Sequence, residues 1–196
     1  MEFEYVSWSK AVTLCYRLAE KILDSGYEPD TIVAVLRGGV VPALIISDYL
    51  GVEEFYAVRA VHWGIGSRKL SKPVIKQLPK GLRNRKLLIV DEVVDTGLTL
   101  QAIVDELVKQ KPLEVKTAVL HVKPTAKYIP DYYAVKLSEW KWVFYPWSIM
   151  ETLSSLKPRY GNWKKSIMDV MNKLEVQKLD VDVIVKSLVK RYGLVI

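Results

Sequence analysis

Three acidic residues follow an apolar run in the segment LLIVDEVVDTGLTL, residues 87–100. The adjacent carboxylates of Asp91 and Glu92 can accept hydrogen bonds from vicinal sugar hydroxyls or hold a hydrated Mg²⁺ ion. The turn that follows can present hydroxyl and backbone N–H donors to a phosphate at the start of a helix, and it comprises Asp95, Thr96, Gly97, Leu98 and Thr99. Helix capping by Asp95 or Thr96 would explain one polar side chain but not three carboxylates. The segment therefore predicts recognition of a ribose 5-phosphate.

A second segment, LRGGVVPA at residues 36–43, has the residue types of an anion-binding turn. Gly38 and Gly39 allow close backbone approach to a ligand, and Arg37 supplies a forked cation. A tight strand-to-helix turn explains this segment equally well when it is taken alone. Neither segment has the spacing of a dinucleotide fingerprint or of a Walker loop. Together the two segments predict a sugar that carries phosphate at both ends.

Apolar runs that alternate with helical patterns place both segments in the fold. The pattern predicts strands at residues 31–36, 54–61, 86–90, 115–120 and 131–137, and helices after Ser9, at residues 40–50 and after Leu98. This alternation is typical of an α/β fold with a doubly wound, mainly parallel sheet, whose ligands bind at the carboxyl ends of the strands. Residues 62–85 are rich in glycine, proline and cations, and they are predicted as a long loop with a short strand at 73–77.

The pattern changes near residue 148. The segments SIMETLSSL, NWKKSIMDVMNKLEV and DVDVIVKSLVKRYG predict three helices. We therefore divide the chain into a core of residues 1–147 and a C-terminal helical extension of residues 148–196. A DNA-binding helix-turn-helix is disfavoured, because any small helical bundle shows this pattern.

Composition narrows the function classes. The chain has 196 residues, of which 50% are apolar and 26% charged, as in ordinary globular proteins. We expect a cytoplasmic protein without a membrane partner, because the sequence has no apolar stretch of membrane-spanning length and no secretory signal pattern. Cys15 is the single cysteine, so no intrachain disulfide forms. The net charge of +7 favours phosphate-bearing ligands, but the basic clusters are short, and nucleic acid is not the expected partner.

The two loop segments resemble those of a known family. LLIVDEVVDTGLTL is similar to the signature with which type I phosphoribosyltransferases bind 5-phosphoribosyl 1-diphosphate (PRPP), and VLRGGVVPA resembles their pyrophosphate loop. The resemblance covers residues 7–148. It implies a parallel core sheet, a small hood over the base, and Mg²⁺-dependent transfer of the phosphoribosyl group from PRPP to a nitrogenous base.

The resemblance also implies roles for individual residues. Asp91 and Glu92 would hold the ribose hydroxyls and the metal, and the turn from Asp95 to Thr99 would hold the 5′-phosphate. Pyrophosphate would bind Leu36, Arg37, Gly38 and Gly39, with a cis peptide bond between Leu36 and Arg37. A loop at residues 62–77 would close over the reaction, with Arg68 and Lys69 neutralising pyrophosphate, although these cations could equally be solvated. Asp95 is the expected acid or base, with Arg37 as a second catalytic residue.

The base-binding region resembles that of 6-oxopurine enzymes in HVKPTAKYIPDYYAV and WKWVFYPW. By this resemblance Lys123 donates to the exocyclic oxygen of the purine, Trp142 stacks on the base, and the backbone near Val143 meets the purine edge. Trp140 and Phe144 are alternatives for stacking, and these aromatic residues could instead belong to the core.

Two departures from that pattern bear on the base. Ser148 follows the PW step where many relatives carry an acidic residue, and the chain continues for three predicted helices. The long helical C-terminus resembles a crenarchaeal branch that includes adenine phosphoribosyltransferases. On this ground we predict purine salvage by transfer to N9 of adenine, giving AMP and pyrophosphate. The family resemblance implies a homodimer. Hypoxanthine, guanine or xanthine is the alternative, favoured by Lys123, and a PRPP-binding nucleic-acid regulator is a second alternative.

Overall fold

A computed structural model describes residues 2–63, 69–150, 153, 163–173 and 178–192 of the chain. In chain order the strands and helices are β1 (Phe3–Tyr5), α1 (Trp8–Asp24), β2 (Thr31–Leu36), α2 (Val40–Leu50), β3 (Glu54–Trp63), β4 (Lys69–Gln77), β5 (Lys86–Val94), α3 (Leu98–Val108), β6 (Glu114–Val122), β7 (Tyr132–Lys136), β8 (Trp142–Phe144), α4 (Trp163–Lys173) and α5 (Lys178–Tyr192). The chain divides into two compact units, Val12–Trp140 and the pair of segments Met1–Ala11 and Lys141–Ile196. The boundary at residues 147 and 148 stays a prediction.

Six strands form the sheet of the larger unit in the order β4-β3-β2-β5-β6-β7. All neighbours are parallel except β3 and β4, which are antiparallel. The register aligns Ala34 of β2 with Val90 of β5, and Val90 with Ala118 of β6. The prediction of a mainly parallel α/β sheet is therefore confirmed, and β2, β5 and β6 end at the same edge.

The central strands form the core because they are apolar on both faces. Residues 87–90 of β5 and 117–122 of β6 are buried, which continuous apolar runs make possible in a parallel sheet. A cluster on one side of the sheet joins these strands to α3, and it includes Val33, Val58, Leu82, Leu87, Ile89, Leu100, Ile103, Leu107 and Val119. Full burial of a large aliphatic side chain of this cluster contributes roughly 1.5–3 kcal/mol to the free energy of unfolding. The packing of this core fixes the positions of the carboxyl ends of β2, β5 and β6, where the loops of the candidate site begin.

Two predicted boundaries in the sheet are wrong. β5 continues past Val90 to Val94, with Asp91 paired to Val119 and Val94 to Val122, so the acidic pair lies within the strand. Residues 62–85, predicted mainly as loop, contain the end of β3 and all of β4. β4 is an edge strand, where a proline such as Pro73 is tolerated because one side of the ladder needs no partner. Its proline and lysines concealed the strand pattern.

The smaller unit has its own two-stranded parallel sheet, in which Phe3 pairs with Trp142 and Tyr5 with Phe144. Both strands have three residues and were missed, because so short a stretch carries no readable alternation. The helices α4 and α5 confirm two of the three predicted tail helices, and most of the first one lies outside the described residues. A core cluster joins these elements through Phe144, Leu153, Ile167, Val170, Met171, Ile184 and Leu188. Within the described part of the chain, no helix has the length and apolar character needed to cross a bilayer.

Candidate active site

The acidic pair and the Gly38–Gly39 turn are in direct contact. β2 and β5 are parallel neighbours, so the loop after β2 lies against the last residues of β5. A Cβ atom added at Gly38 would overlap the carboxylate of Glu92, and one added at Gly39 would overlap the carbonyl oxygen of Val90. At Gly39 the overlap is with backbone, so only glycine allows the two segments to lie this close, whereas at Gly38 the overlap is with a side chain.

The turn after β2 is held by its own backbone. The peptide bond between Leu36 and Arg37 is cis, as the resemblance implied. The N–H of Gly39 donates to the carbonyl of Val35 at 2.9 Å, and the N–H of Val40 donates to that of Arg37 at 3.2 Å. α2 begins at Val40, so the turn lies at a helix N-terminus, where backbone N–H groups without intrahelical partners favour an anion.

Asp91 and Glu92 form a site that favours hydroxyl donors or a cation. Burial, and then the adjacent charge of Glu92, raise the pKa of Asp91 well above its ordinary value, although the Glu92 N–H donates to Asp91 Oδ1 at 2.8 Å. A divalent cation or sugar hydroxyls would relieve the repulsion between the two carboxylates. No group of three or more metal-ligating side chains occurs among the described residues. Two adjacent carboxylates are a donor set that fits Mg²⁺, which commonly takes one or two carboxylates and completes its shell with water and substrate oxygens.

The turn after β5 has its shape imposed by Gly97. Its φ of 84° lies in the left-handed region, and an added Cβ would lie 2.6 Å from the Cβ of Tyr128. α3 then begins at Leu98, and the N–H of Gln101 donates to the carbonyl of Gly97 at 2.9 Å. The turn and the first N–H groups of α3 have a shape that suits an anion, and phosphate binding at residues 95–99 stays a prediction.

The loop after β6 packs on this turn. The N–H of Lys123 donates to the Val94 carbonyl at 2.9 Å, and that of Lys127 donates to the Thr96 carbonyl at 3.0 Å. The predicted base-binding lysine is thereby fixed beside the predicted phosphate turn, although the two segments are separate in sequence.

Asp95 and Lys123 form an ion pair at this junction. Lys123 Nζ lies 3.3 Å from Asp95 Oδ2, and Lys123 is only 7% exposed. The other carboxylate oxygen, Oδ1, accepts hydrogen bonds from the Thr125 hydroxyl at 2.6 Å and from the indole N–H of Trp140 at 3.4 Å. The ammonium group also lies 4.2 Å from the centre of the Trp140 ring.

The surroundings of the ion pair lower the pKa of Asp95 and also that of Lys123. Burial raises the pKa of Asp95, but the Thr125 hydrogen bond, the Lys123 charge and the Trp140 hydrogen bond outweigh it, and the net pKa is lowered. Burial also lowers the pKa of Lys123, and the Asp95 carboxylate opposes this only in part. In the ligand-free protein Asp95 is therefore a carboxylate whose oxygens are engaged by three donors.

The structure describes the positions of the other predicted site residues only in part. Arg68 lies outside the described residues, and Lys69 is the first residue of β4, with its side chain outside the description. Trp142 and Val143 lie on β8 in the smaller unit. Sequence reasoning missed the roles of Thr125 and Trp140 around Asp95. Thr125, two residues after Lys123, could have been noticed, but nothing in the local pattern links Trp140 to a residue 45 positions away.

Comparisons with known proteins agree with this geometry. A family model described as "Phosphoribosyl transferase domain" matches residues 4–151. The crystal structure of a purine phosphoribosyltransferase from Pyrococcus horikoshii is 34% identical, with a TM-score of 0.66, and the alignment covers 75% of this chain and 94% of that one. A xanthine-guanine phosphoribosyltransferase from Cereibacter sphaeroides is 28% identical over 167 residues, 80% of this chain and 92% of the relative. A xanthine-guanine-hypoxanthine phosphoribosyltransferase from Helicobacter pylori, 24% identical over 81% of this chain and all of that one, shares the fold with a TM-score of 0.66.

The matched region contains both glycine turns, the acidic pair and Lys123, and it spans most of the chain. The resemblance to type I enzymes that the motifs indicated is therefore confirmed. This chain belongs to the phosphoribosyltransferase family.

Proposed function

We propose that this enzyme transfers the 5-phosphoribosyl group of PRPP to N9 of a 6-oxopurine, namely hypoxanthine, guanine or xanthine, in purine salvage. The observation that carries the proposal is the buried ammonium of Lys123. It lies beside Asp95, the first residue of the proposed phosphate-binding turn. An ammonium group donates hydrogen bonds and accepts none, so it matches a keto oxygen and mismatches the amino group of adenine. The name of the relative from Cereibacter sphaeroides, a xanthine-guanine phosphoribosyltransferase, supports bases of this class.

Adenine, our expectation from the helical C-terminus, is the weaker candidate. Its support is a resemblance in the tail, whereas the 6-oxopurine alternative has support from the contacts of Lys123 and from the relatives. A buried site built for one hydrogen-bond pattern rejects the other strongly, because a mispaired polar group loses its water without gaining a partner.

In the proposed reaction, the bond from ribose C1 to the pyrophosphate oxygen breaks and a bond from C1 to purine N9 forms. The turn from Leu36 to Gly39 binds the leaving pyrophosphate, with Arg37, Arg68 and Lys69 neutralising its charge. The turn from Asp95 to Thr99 binds the 5′-phosphate. Because both phosphate groups are fixed, C1 is held in position for attack by the base.

Asp91 and Glu92 would hold Mg²⁺, which when bound would supply positive charge to offset the charge that develops on the leaving group. The two carboxylates also orient the ribose by accepting hydrogen bonds from its 2′- and 3′-hydroxyls. The contact of the Glu92 carboxylate with Gly38 supports this role, because it brings the proposed ribose and pyrophosphate sites next to each other.

Asp95 takes the proton that the purine loses when N9 is alkylated. To do so, one of its oxygens must leave a present donor. Lys123 can be that donor, because the keto oxygen of the base offers its ammonium a replacement acceptor. Stacking by Trp142 and a backbone contact at Val143 stay the roles that the sequence resemblance implies for these two residues. We further propose that the enzyme acts in the cytoplasm as a homodimer.

A turnover assay with Mg²⁺ and PRPP, offering adenine, hypoxanthine, guanine and xanthine separately, tests the proposal. We expect at least one 6-oxopurine to react and adenine to react far more slowly. Turnover with adenine alone would overturn the proposed base and would support the branch indicated by the tail. PRPP binding without turnover of any base would support the regulator alternative.

A further inference from the structure

Trp140 contacts both charges of the Asp95–Lys123 pair. Its indole N–H lies 3.4 Å from Asp95 Oδ1, and the centre of its ring lies 4.2 Å from Lys123 Nζ. The edge of one side chain thus supports an anion while its face supports a cation. Trp140 is 36% exposed, so one part of the ring reaches solvent while another part covers Lys123.

We propose that Trp140 is a positioning residue that holds Asp95 and Lys123 in their charged, paired geometry and thereby sets the range of pH over which the pair can serve a purine base. For its kinetic part this inference rests on the proposed function. Trp140 acts on the reaction through the two charged residues.

The physical argument depends on the burial of Lys123. A cation gains more from an aromatic face when water is excluded from it, and Lys123 is almost completely buried. Asp95 is its charged neighbour, and Thr125 from the same loop supplies the third donor to the carboxylate. When Lys123 turns from Asp95 toward a keto oxygen, the Trp140 and Thr125 donors can remain on Asp95 Oδ1, so Oδ2 becomes free for the proton.

Removal of each part of the indole has a separate consequence. Loss of the N–H removes a donor that favours ionised Asp95, so the pKa of Asp95 should rise. Loss of the ring face removes a contact that favours charged Lys123, so the pKa of Lys123 should fall further. The acid limb of the pH–activity profile needs ionised Asp95 and would therefore move to higher pH. The alkaline limb needs charged Lys123 and would move to lower pH.

Two substitutions separate these effects. Trp140→Phe keeps an aromatic face but has no N–H, whereas Trp140→Leu has neither. We expect Phe to shift the acid limb alone and Leu to narrow the profile from both sides, each limb by about half a pH unit or more. Ionisation of the free base contributes equally to all variants and cancels in the comparison. Trp8→Leu is a matched control, because Trp8 is a half-exposed indole that contacts Trp147.

The first measurement uses the ligand-free protein and needs no turnover. Side-chain NMR of the full chain, with the Lys123 signal assigned from Lys123→Met and the Asp95 signal from Asp95→Asn, gives both titrations. We expect ring-current shifts of the Lys123 methylene protons next to Nζ in wild type and Trp140→Phe, and their loss in Trp140→Leu. The pKa of Asp95 should rise in both variants. Unchanged shifts and titrations would overturn the inference.

The second measurement is the pH profile of kcat/KM for the base that reacts in the turnover assay. If Trp140 instead stacks on the purine, Trp140→Leu raises KM for the base at every pH and moves neither limb, and the inference fails. If no purine reacts, the proposed function fails, and the ligand-free titrations alone decide whether Trp140 holds the pair.

Discussion

The carboxylate of Glu92 fills the space that a Cβ atom at Gly38 would need. An alanine at Gly38 would therefore displace a flexible side chain, whereas an alanine at Gly39 would meet the backbone carbonyls of Val90 and Val35. The two adjacent glycines should respond differently to the same substitution. Gly38 constrains the ligand site, and Gly39 constrains the packing of β2 on β5.

We expect Gly38→Ala to weaken PRPP binding tenfold or more, by about 1.4 kcal/mol, with little change in thermal stability. Gly39→Ala should destabilise the protein by about 1–3 kcal/mol, as overpacking of an interior commonly does. Thermal melts and PRPP titration calorimetry on both variants check the prediction. Equal stability losses would show that Glu92 cannot move aside.

Asp95→Asn should lower kcat at least about a hundredfold, the usual contribution of a general acid or base, while PRPP affinity changes little. In the proposed complex PRPP is held mainly by the two turns, and asparagine keeps the size of the side chain. Steady-state kinetics and PRPP binding measured on the same preparation check this. Asp105→Asn, at an exposed residue on α3, is the control. Parallel losses in turnover and PRPP affinity would contradict an acid–base role.

Lys123→Met should lower kcat/KM for a 6-oxopurine by about tenfold to a hundredfold, the value of a hydrogen bond to a charged group. Methionine keeps the length and apolar contacts of the lysine stem but loses the donor. Competition between hypoxanthine and adenine measures the resulting change in selectivity. Lys127→Met is the matched control in the same loop, because Lys127 is exposed. Unaltered selectivity would mean that Lys123 does not read the base.

Asp91 should make the ligand-free protein less stable as the pH rises. Burial, and then Glu92, raise the pKa of Asp91 in the folded state, so protonation favours folding. That stability is present at low pH and is lost as the pH rises through the folded-state pKa. Asp91→Asn should remove this part of the pH dependence, stabilise the protein at neutral pH and weaken PRPP binding. Melts from pH 5 to pH 8 without Mg²⁺ check this, with the exposed Asp24→Asn as control.

Much of the sheet could be predicted because its signals are local. Thr31–Leu36 is a continuous apolar run. α2 has Pro42 in its first turn and is followed by Gly51, whose left-handed φ of 66° ends the helix. The end of β5 could not be predicted, because Asp91 and Glu92 look like loop residues although Asp91 pairs with Val119 of β6 and the pairing continues at Val93 and Val94. In the site, the glycine turns were readable from their spacing. The contact of Trp140 with Asp95 depends on the path of the chain after β7, which no local pattern specifies.

The antiparallel pairing of β3 and β4 has an evolutionary consequence. Trp63 pairs with Lys69, so β3 and β4 are already paired on either side of positions 64–68. Insertions or deletions at positions 64–68 leave the pairing of β3 with β4 unchanged. They also leave the parallel strands of the same sheet unchanged. This position can therefore diverge in length and composition between homologues at little cost to folding, whereas a single-residue deletion inside β4 would reverse the faces of its side chains.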